Sequence, residues 1–197
     1  MGAALHLEKN LPVASGIGGG SSDAAATLAV LQDLWSTPIP DGLAAGLGAD
    51  VPVCCAAPQP QIMQGIGDRL TCAPTLPACW VVLVNPLLGV PTGAVFSNVA
   101  DKNPASPPGL PMNGFADFPT LVDWLKTQRN DLQAAAIAVC PVISEVLHAL
   151  SDAPMARMSG SGATCFAVLP GEAEALVLAE LVRKQSAWWV AAAPVLG

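Results

Sequence analysis

Residues 9–28 read KNLPVASGIGGGSSDAAATL, a glycine-rich loop that passes directly into a helical pattern. Four of the five residues 16–20 are glycine, which loses more backbone entropy on folding than any other residue. Apolar residues then recur at helical spacing up to about Trp35, and Ser21 or Ser22 is expected to cap the helix. Unpaired N–H groups and a charge of roughly +0.5 collect at a helix start. The stretch therefore predicts a phosphate-binding loop.

Other interpretations of this loop fit less well. It lacks the Gly-Lys-Ser/Thr sequence that marks the P-loop of the common NTPases. The dinucleotide fingerprint needs a third glycine where Ser21 stands, and Asp41, at the distance of a ribose contact, lies in a Pro-rich connection. A flexible turn ahead of a buried helix is the remaining alternative. The alternating pattern of residues 3–8 favours the phosphate loop, because it predicts a strand on the other side of it.

Two later stretches carry further motifs. Residues 47–53 read LGADVPV and place Asp50 between a glycine and a proline. Residues 158–166 read MSGSGATCF, a Gly-Ser-Gly turn followed by an apolar strand pattern. Taken alone, Asp50 is typical of a turn or a helix cap, and the Gly-Ser-Gly stretch is typical of a turn between strands.

Together the three stretches resemble, in the same order, the signatures of the GHMP kinases, the galacto-, homoserine, mevalonate and phosphomevalonate kinase group. The resemblance implies an α+β GHMP kinase fold. Residues 1–75 would form the remainder of an N-terminal ATP-binding half that resembles domain 2 of ribosomal protein S5. Residues 76–197 would form a ferredoxin-like C-terminal domain, and the order of strand and helix patterns in that part agrees.

The resemblance also assigns functional residues. Asp50 would be the catalytic residue that takes or orients the proton of the acceptor hydroxyl. Thr92 and Phe96 would bind the substrate, with Phe96 stacked on a base unless it is a core residue. No residue is assigned to a metal. The third-signature loop comprises Ser159, Gly160, Ser161 and Gly162. The ATP phosphates are assigned to Pro12, Val13, Ala14, Ser15, Gly16, Ile17, Gly18, Gly19, Gly20, Ser21 and Ser22.

The implied cofactors are ATP and Mg²⁺. The triple glycine and residues 9–12 most resemble the family branch that phosphorylates the 2-hydroxyl of 4-diphosphocytidyl-2-C-methyl-D-erythritol, in the non-mevalonate isoprenoid pathway. A GHMP kinase with another acceptor is an alternative. So is a catalytically silent nucleotide-binding relic, because family members carry a leading segment with several strands and a lysine that is absent here. A start codon placed too late would explain the same absence. Lys9 lies next to the loop and is a candidate to replace that lysine, but it corresponds to a different position of the family pattern.

Composition limits the possible functions further. The 197 residues, 52% of them apolar, suffice for a core. The net charge of −7 argues against binding nucleic acid or an anionic membrane through bulk electrostatics. No secretory signal, membrane span or protein partner is evident, which predicts a cytoplasmic protein. Six cysteines without a Cys-x-x-Cys pair are expected to be reduced core residues.

Periodicity predicts the remaining elements. Residues 43–47 are expected to form at most a short helix, and further helices are expected at 121–126 and 172–185. Another helix is expected to begin after a cap at Asn130 or Asp131, and one more at Pro141. Strands are expected at residues 61–70, turning through Gly65 and Gly67, and at 80–85, 163–169 and 188–192, with an irregular connection at 101–119.

Overall fold

The computed structural model describes residues 2–13, 15–101 and 104–196. The chain divides into two units, the first with residues 2–13, 18–75 and 196, the second with residues 15–17, 76–101 and 104–195. Residues 15–17 of the glycine-rich loop therefore belong to the second unit. Residues 18–20 and the helix that follows them belong to the first. The domain division into 1–75 and 76–197 stays a prediction.

Among its described residues, the first unit has three helices and one hairpin. They are α1 (Gly19–Trp35), α2 (Leu43–Leu47), α3 (Val51–Cys55), β1 (Gln61–Gln64) and β2 (Arg69–Cys72). The predicted end of α1, the predicted α2 and the predicted hairpin are confirmed. The small core of this unit forms where α1 and α3 meet, at Ala25, Leu28 and Val51.

The start of α1 differs from the prediction. Gly18 is the N-cap residue, with φ 67° and ψ 16°, and no side chain caps the helix. Ser21 and Ser22 lie inside the first turn instead. Because the left-handed conformation is easily reached by glycine, the backbone of Gly18 rather than a serine hydroxyl decides where the helix begins.

The predicted strand at residues 3–8 is wrong. Residues 2–10 form neither a helix nor a strand, and in the described part of this unit β1 and β2 pair only with each other. A strand needs a partner for its backbone groups, and alternation alone does not supply one. The end of this stretch instead lies along the start of α1, where Lys9 forms an ion pair with Asp23.

The second unit combines one sheet with several helices. Its described elements are β3 (Trp80–Asn85), α4 (Thr92–Ser97), α5 (Phe118–Thr127), α6 (Gln133–Val139), α7 (Val142–Ala149), β4 (Met155–Met158), β5 (Cys165–Leu169), α8 (Glu172–Gln185) and β6 (Trp189–Pro194). The four strands pair antiparallel in the order β4-β5-β3-β6, so β3 is central. This order and connectivity are those of a ferredoxin-like layer, which confirms the predicted α+β class.

The core of this unit lies between the sheet and its helices. Val82 and Val84 of β3 are fully buried, as are Val146 of α7 and Ala179 of α8. Each buried valine contributes roughly 1.5–3 kcal/mol relative to an exposed one. The loop that joins β4 to β5 is thereby anchored on two strands of a well-packed sheet.

Several boundaries in this unit differ from the sequence analysis. Neither β4 nor α4 is predicted, and β5 begins at Cys165 instead of residue 163. Helix α5 begins inside the segment expected to be irregular, because Asp117 and Thr120 form a capping box there. The predicted bounds of β3 and α8 are confirmed.

The cysteines are not all core residues. Cys55 and Cys72 are exposed, which makes the expectation wrong for these two. Three others, Cys79, Cys140 and Cys165, are buried, and Cys54 is half-buried. Across the described ranges, no helix has the length and hydropathy that crossing a bilayer requires.

Candidate functional site

The second half of the glycine-rich loop presents open backbone at the start of α1. Ser22 donates its N–H to the Gly18 carbonyl over 2.9 Å, which closes the first turn. The N–H groups before it have no acceptor within the helix. A Cβ atom placed on Gly18 or Gly20 would meet no heavy atom within 4 Å. The space beside Gly18 and Gly20 is therefore open, as a phosphate-binding loop requires.

Gly19 is covered by its own unit. A Cβ on Gly19 would lie 3.3 Å from Leu11 Cδ1 and 3.5 Å from Lys9 Nζ. The Lys9 ammonium pairs with the Asp23 carboxylate beside the first turn of α1. Lys9 therefore already has a partner, which argues against it as a replacement for the catalytic lysine of the family.

The first half of the loop is held by the second unit. Ser15 is buried, and its carbonyl accepts a hydrogen bond of 2.5 Å from Thr164 Oγ1. The Gly16 carbonyl accepts a hydrogen bond of 2.8 Å from Ser159 Oγ. Gly16 has φ 72°, and a Cβ there would lie 2.8 Å from the carbonyl oxygens of both Ser159 and Gly162. Only glycine fits this position.

The third-signature loop, residues 159–162, is positioned by the side chain of Asn130. Its Nδ2 donates to the carbonyls of Met158 over 2.9 Å and Gly160 over 2.8 Å. The prediction that Asn130 or Asp131 caps a helix is wrong, because α6 begins at Gln133 without a side-chain cap. Asn130 instead links this part of the chain to a loop that lies far away in sequence.

Asp50 is exposed at the N-cap position of α3. Its side chain accepts no capping hydrogen bond, and among the described residues no hydrogen bond or ion pair involves its carboxylate. The hairpin turn lies close against the peptide before it, since a Cβ on Gly67 would lie 2.7 Å from the Ala49 carbonyl oxygen. Asp50 is thus an available carboxylate on a well-supported turn.

Helix α3 brings Asp50 near the start of α1 within the first unit. Cys54, one turn after Asp50, has its Sγ 3.6 Å from the Oγ of Ser22 in the first turn of α1. One helical turn is about 5.4 Å long. The same two helices border an open cavity of about 700 Å³, lined by Ser22, Ala25, Ile39 and Cys54 among others. A cavity of this volume is within the range of small-molecule sites.

The two residues assigned to the acceptor substrate lie on α4. Thr92 Oγ1 is 3.1 Å from Ser161 Oγ of the third-signature loop. Phe96 is 56% exposed, so its ring is free for a ligand and is not a core residue. The segment before α4 also exposes Leu87 and Leu88. Its apolar and hydroxyl groups suit a nucleoside-bearing substrate.

Sequence reasoning missed two buried polar residues beside these segments. Asn85 is 3% exposed and Thr164 is fully buried, and Asn85 Nδ2 donates to Thr164 Oγ1 over 2.8 Å. A polar residue at the end or start of an otherwise apolar strand pattern is the signal that would have found both. The neighbouring Cys165 is no nucleophile at neutral pH, because burial raises the pKa of its thiol to about 12.

The remaining assigned residues contribute less. Val13 is 79% exposed, Pro12 is half-buried, and Ala14 lies outside the described residues. Among the residues that the structure describes, no three His, Cys, Asp or Glu side chains cluster as metal ligands.

Comparison with known proteins places these features in a family. The model of the GHMP kinases N terminal domain matches residues 1–61, and that of the GHMP kinases C terminal domain matches residues 116–186. The 4-diphosphocytidyl-2-C-methyl-D-erythritol kinase of Ruegeria pomeroyi is 51% identical, with 99% of this chain and 71% of that protein covered. The enzyme of the same name from Cereibacter sphaeroides is 49% identical, with 100% and 72% covered.

Solved structures agree. A crystal structure of 4-(cytidine 5'-diphospho)-2C-methyl-D-erythritol kinase has a TM-score of 0.75 at 30% identity, covering 96% of this chain and 70% of the other. The homoserine kinase of Cytophaga hutchinsonii shares the fold, with a TM-score of 0.63 at 15% identity. That match covers 95% of this chain and 67% of the homoserine kinase. The chain belongs to the GHMP kinase family, with 4-diphosphocytidyl-2-C-methyl-D-erythritol kinases among its relatives.

Proposed function

We propose that this GHMP kinase transfers the γ-phosphoryl group of ATP to the tertiary 2-hydroxyl of 4-diphosphocytidyl-2-C-methyl-D-erythritol, a step of the non-mevalonate isoprenoid pathway. Relatives of about half identity over nearly the whole chain carry that substrate in their names. The strongest structural support for the proposal is the open glycine backbone at the start of α1. Its N–H groups are uncapped by side chains there.

The phosphates of ATP would bind the N–H groups of residues 18–21, because the N–H of Ser22 already bonds to the Gly18 carbonyl. The helix dipole adds a charge of roughly +0.5 there, so a chain with a net charge of −7 can still hold a polyanion locally. The open space over Gly18 and Gly20 leaves room for close approach of phosphate oxygens. Mg²⁺, when bound to those phosphates, would neutralise part of their charge.

Asp50 would take or orient the proton of the acceptor hydroxyl. Phosphoryl transfer needs the acceptor oxygen in line with the γ-phosphate and little covalent help from the protein. The carboxylate has no other partner among the described residues and lies on a turn that the hairpin supports. It is therefore available to a substrate hydroxyl without first breaking an ion pair.

Residues of the second unit would hold the acceptor. The paired hydroxyls of Thr92 and Ser161 offer hydrogen bonds to a polar headgroup, and the exposed ring of Phe96 offers a stacking surface for cytosine. The third-signature loop and α4 contact each other directly through these hydroxyls, which supports assigning both segments to one ligand.

The test is an acceptor panel with the 197-residue chain. Formation of phosphorylated product from Mg·ATP and 4-diphosphocytidyl-2-C-methyl-D-erythritol is followed by ³¹P NMR, with homoserine, mevalonate and galactose as matched acceptors. We expect product from the diphosphocytidyl alcohol alone. Equal turnover of another acceptor would instead identify a different GHMP specificity, and nucleotide binding without any turnover would support the silent relic.

A further inference from the structure

Three buried polar residues form one continuous chain of hydrogen bonds. In the described part of the protein, the buried polar or charged side chains are those of Ser15, Asn85 and Thr164. The Leu87 N–H donates to Asn85 Oδ1 over 2.7 Å, Asn85 Nδ2 donates to Thr164 Oγ1 over 2.8 Å, and Thr164 Oγ1 donates to the Ser15 carbonyl over 2.5 Å. All of these residues belong to the second unit.

The direction of this chain is fixed by its ends. A backbone N–H can only donate, so the Asn85 atom that faces Leu87 is the oxygen and the atom that faces Thr164 is the amide nitrogen. The Thr164 hydroxyl accepts from that nitrogen, and its own proton is then free for the Ser15 carbonyl, which can only accept. The polarity of the chain is therefore fixed, and the Ser15 carbonyl accepts a second, longer hydrogen bond of 3.4 Å from the Thr164 N–H.

The two ends lie in segments that serve different ligands. Leu87 precedes α4 and the acceptor residues, whereas Ser15 begins the part of the phosphate loop that packs in this unit. We propose that Asn85 and Thr164 are positioning residues that couple the acceptor segment to the phosphate loop, so that an ordered loop favours an ordered acceptor segment and the reverse. The identity of the two ligands rests on the proposed function; the mechanical coupling does not.

At the loop end, the coupling acts on the direction of backbone N–H groups. The C=O and N–H of a planar trans peptide point in opposite directions. Because Thr164 holds the Ser15 carbonyl and Ser159 holds the Gly16 carbonyl, the N–H groups of Gly16 and Ile17 point away from those hydroxyls. Losing the Thr164 hydroxyl would leave the Ser15 carbonyl with the longer hydrogen bond from the Thr164 N–H, and so would hold the first of these peptides less firmly.

At the acceptor end, the coupling maintains an unfavourable conformation. Leu87 has φ 60°, in the left-handed region that a residue with a Cβ rarely adopts, and its side chain is 59% exposed. Packing therefore does little to hold it, and the hydrogen bond to Asn85 is the described contact that does. Without that bond, the segment before Thr92 would relax to an ordinary conformation.

The experiment measures backbone amide exchange by NMR in the wild type, Thr164→Val and Thr164→Ser. Val removes the hydroxyl at nearly constant volume, and Ser keeps it. We expect Thr164→Val to speed exchange of the Leu87 amide by about tenfold and to shift the resonance of the Gly16 amide, and Thr164→Ser to restore both. Val182→Ala, which truncates a buried side chain of α8, is the control for lost stability. In this variant the Leu87 and Gly16 amides should change no more than the amides of neighbouring residues.

Adding Mg²⁺ with a non-hydrolysable ATP analogue tests the coupling in the wild type itself. Binding should slow exchange of the Leu87 amide several-fold, and Thr164→Val should abolish that response. A Leu87 amide that ignores the bound analogue overturns the proposal even if Thr164→Val fails to fold. If the wild type binds no analogue, the proposed function fails, whereas the coupling is still decided by whether Leu87 and Gly16 respond together to loss of the hydroxyl.

Discussion

Each glycine of the phosphate loop has a different environment. Gly16 is packed so closely against two carbonyl oxygens that no side chain fits, and Gly18 takes the left-handed conformation that starts α1. Gly20 has an ordinary helical backbone and open space over its Cα. The first two are therefore explained by folding alone, whereas folding gives no reason for glycine at position 20. That position carries the functional argument.

Asp50 gives the sharpest catalytic prediction at this scale. Asp50→Asn should lower phosphoryl transfer by orders of magnitude, because the amide cannot take the hydroxyl proton. Nucleotide affinity should stay as in the wild type, and the free energy of unfolding should change by less than about 0.5 kcal/mol, since the carboxylate caps nothing. Asp41→Asn, an exposed carboxylate of the same unit, is the control. Near-normal turnover of Asp50→Asn would remove this residue from the mechanism.

The conformation of Leu87 gives a stability prediction. Leu87→Gly should raise the free energy of unfolding by about 1 kcal/mol, because glycine adopts φ 60° without strain and the leucine side chain is mostly exposed. Leu88→Gly, at an exposed neighbour without a positive φ, should instead lower it. Chemical denaturation of both variants decides, and a loss of stability in Leu87→Gly would contradict the strain argument.

Burial of Cys165 predicts a dependence of stability on pH. The thiol has its pKa raised by burial from 9.0 to about 12, so an unfolded chain loses this proton at lower pH than the folded chain. The contribution of this thiol to the free energy of unfolding is fully present below pH 9. It declines as pH rises towards 12, by at most about 1.4 kcal/mol per pH unit. Cys165→Ala should flatten that decline, and Cys55→Ala, at an exposed cysteine, should not. Equal pH profiles for wild type and Cys165→Ala would refute this.

At the scale of elements, α5 illustrates a cap that the protein does use. Asp117 accepts a hydrogen bond of 2.9 Å from the Thr120 N–H, and the Thr120 hydroxyl accepts one from the Asp117 N–H. Asp117→Ala should therefore destabilise the second unit by about 0.5–2 kcal/mol. Asp123→Ala, on the exposed face of the same helix, should cost much less. Similar melting temperatures for the two variants would show that the capping box contributes nothing.

Elements with long local patterns were predictable from sequence, and elements that depend on a partner were not. Periodic apolar residues fix both ends of α8 and the C-terminal end of α1, whereas the start of α1 depends on the backbone of Gly18. Strand β4 has only four residues, and its pairing with β5 defines it. The stretch at residues 3–8 shows the reverse case, since it alternates as a strand should but has no paired neighbour among the described residues.

The candidate site divides in the same way. The open amides at the start of α1 follow from local sequence, because glycines ahead of a helix expose them wherever the helix lies. The hydrogen bond from Thr164 to the Ser15 carbonyl spans 149 residues, and Asn130 contacts Gly160 across 30. No periodicity or spacing reports such contacts. Sequence therefore predicted a phosphate-binding loop but not the contacts that hold that loop.

At the scale of the whole molecule, an acidic protein is proposed to bind a polyanionic nucleotide. The net charge of −7 opposes this at long range, so local amides and Mg²⁺ have to outweigh it. Raising ionic strength screens the long-range repulsion more than the short contacts. We expect nucleotide affinity to stay level or rise slightly between low and physiological salt, as measured by calorimetric titration; a steep loss of affinity with salt would indicate binding to exposed cations instead.

The most direct test of the phosphate loop compares Gly20→Ala with Gly46→Ala. Both positions are helical and open, so each alanine should raise stability by up to about 1 kcal/mol. Calorimetric titration with a Mg²⁺-bound non-hydrolysable ATP analogue then separates them. We predict that Gly20→Ala, whose new methyl group occupies the space over the loop, binds the analogue at least about tenfold more weakly than the wild type, and that Gly46→Ala binds it equally well. Unchanged affinity in Gly20→Ala would contradict the assignment of the ATP phosphates to this loop.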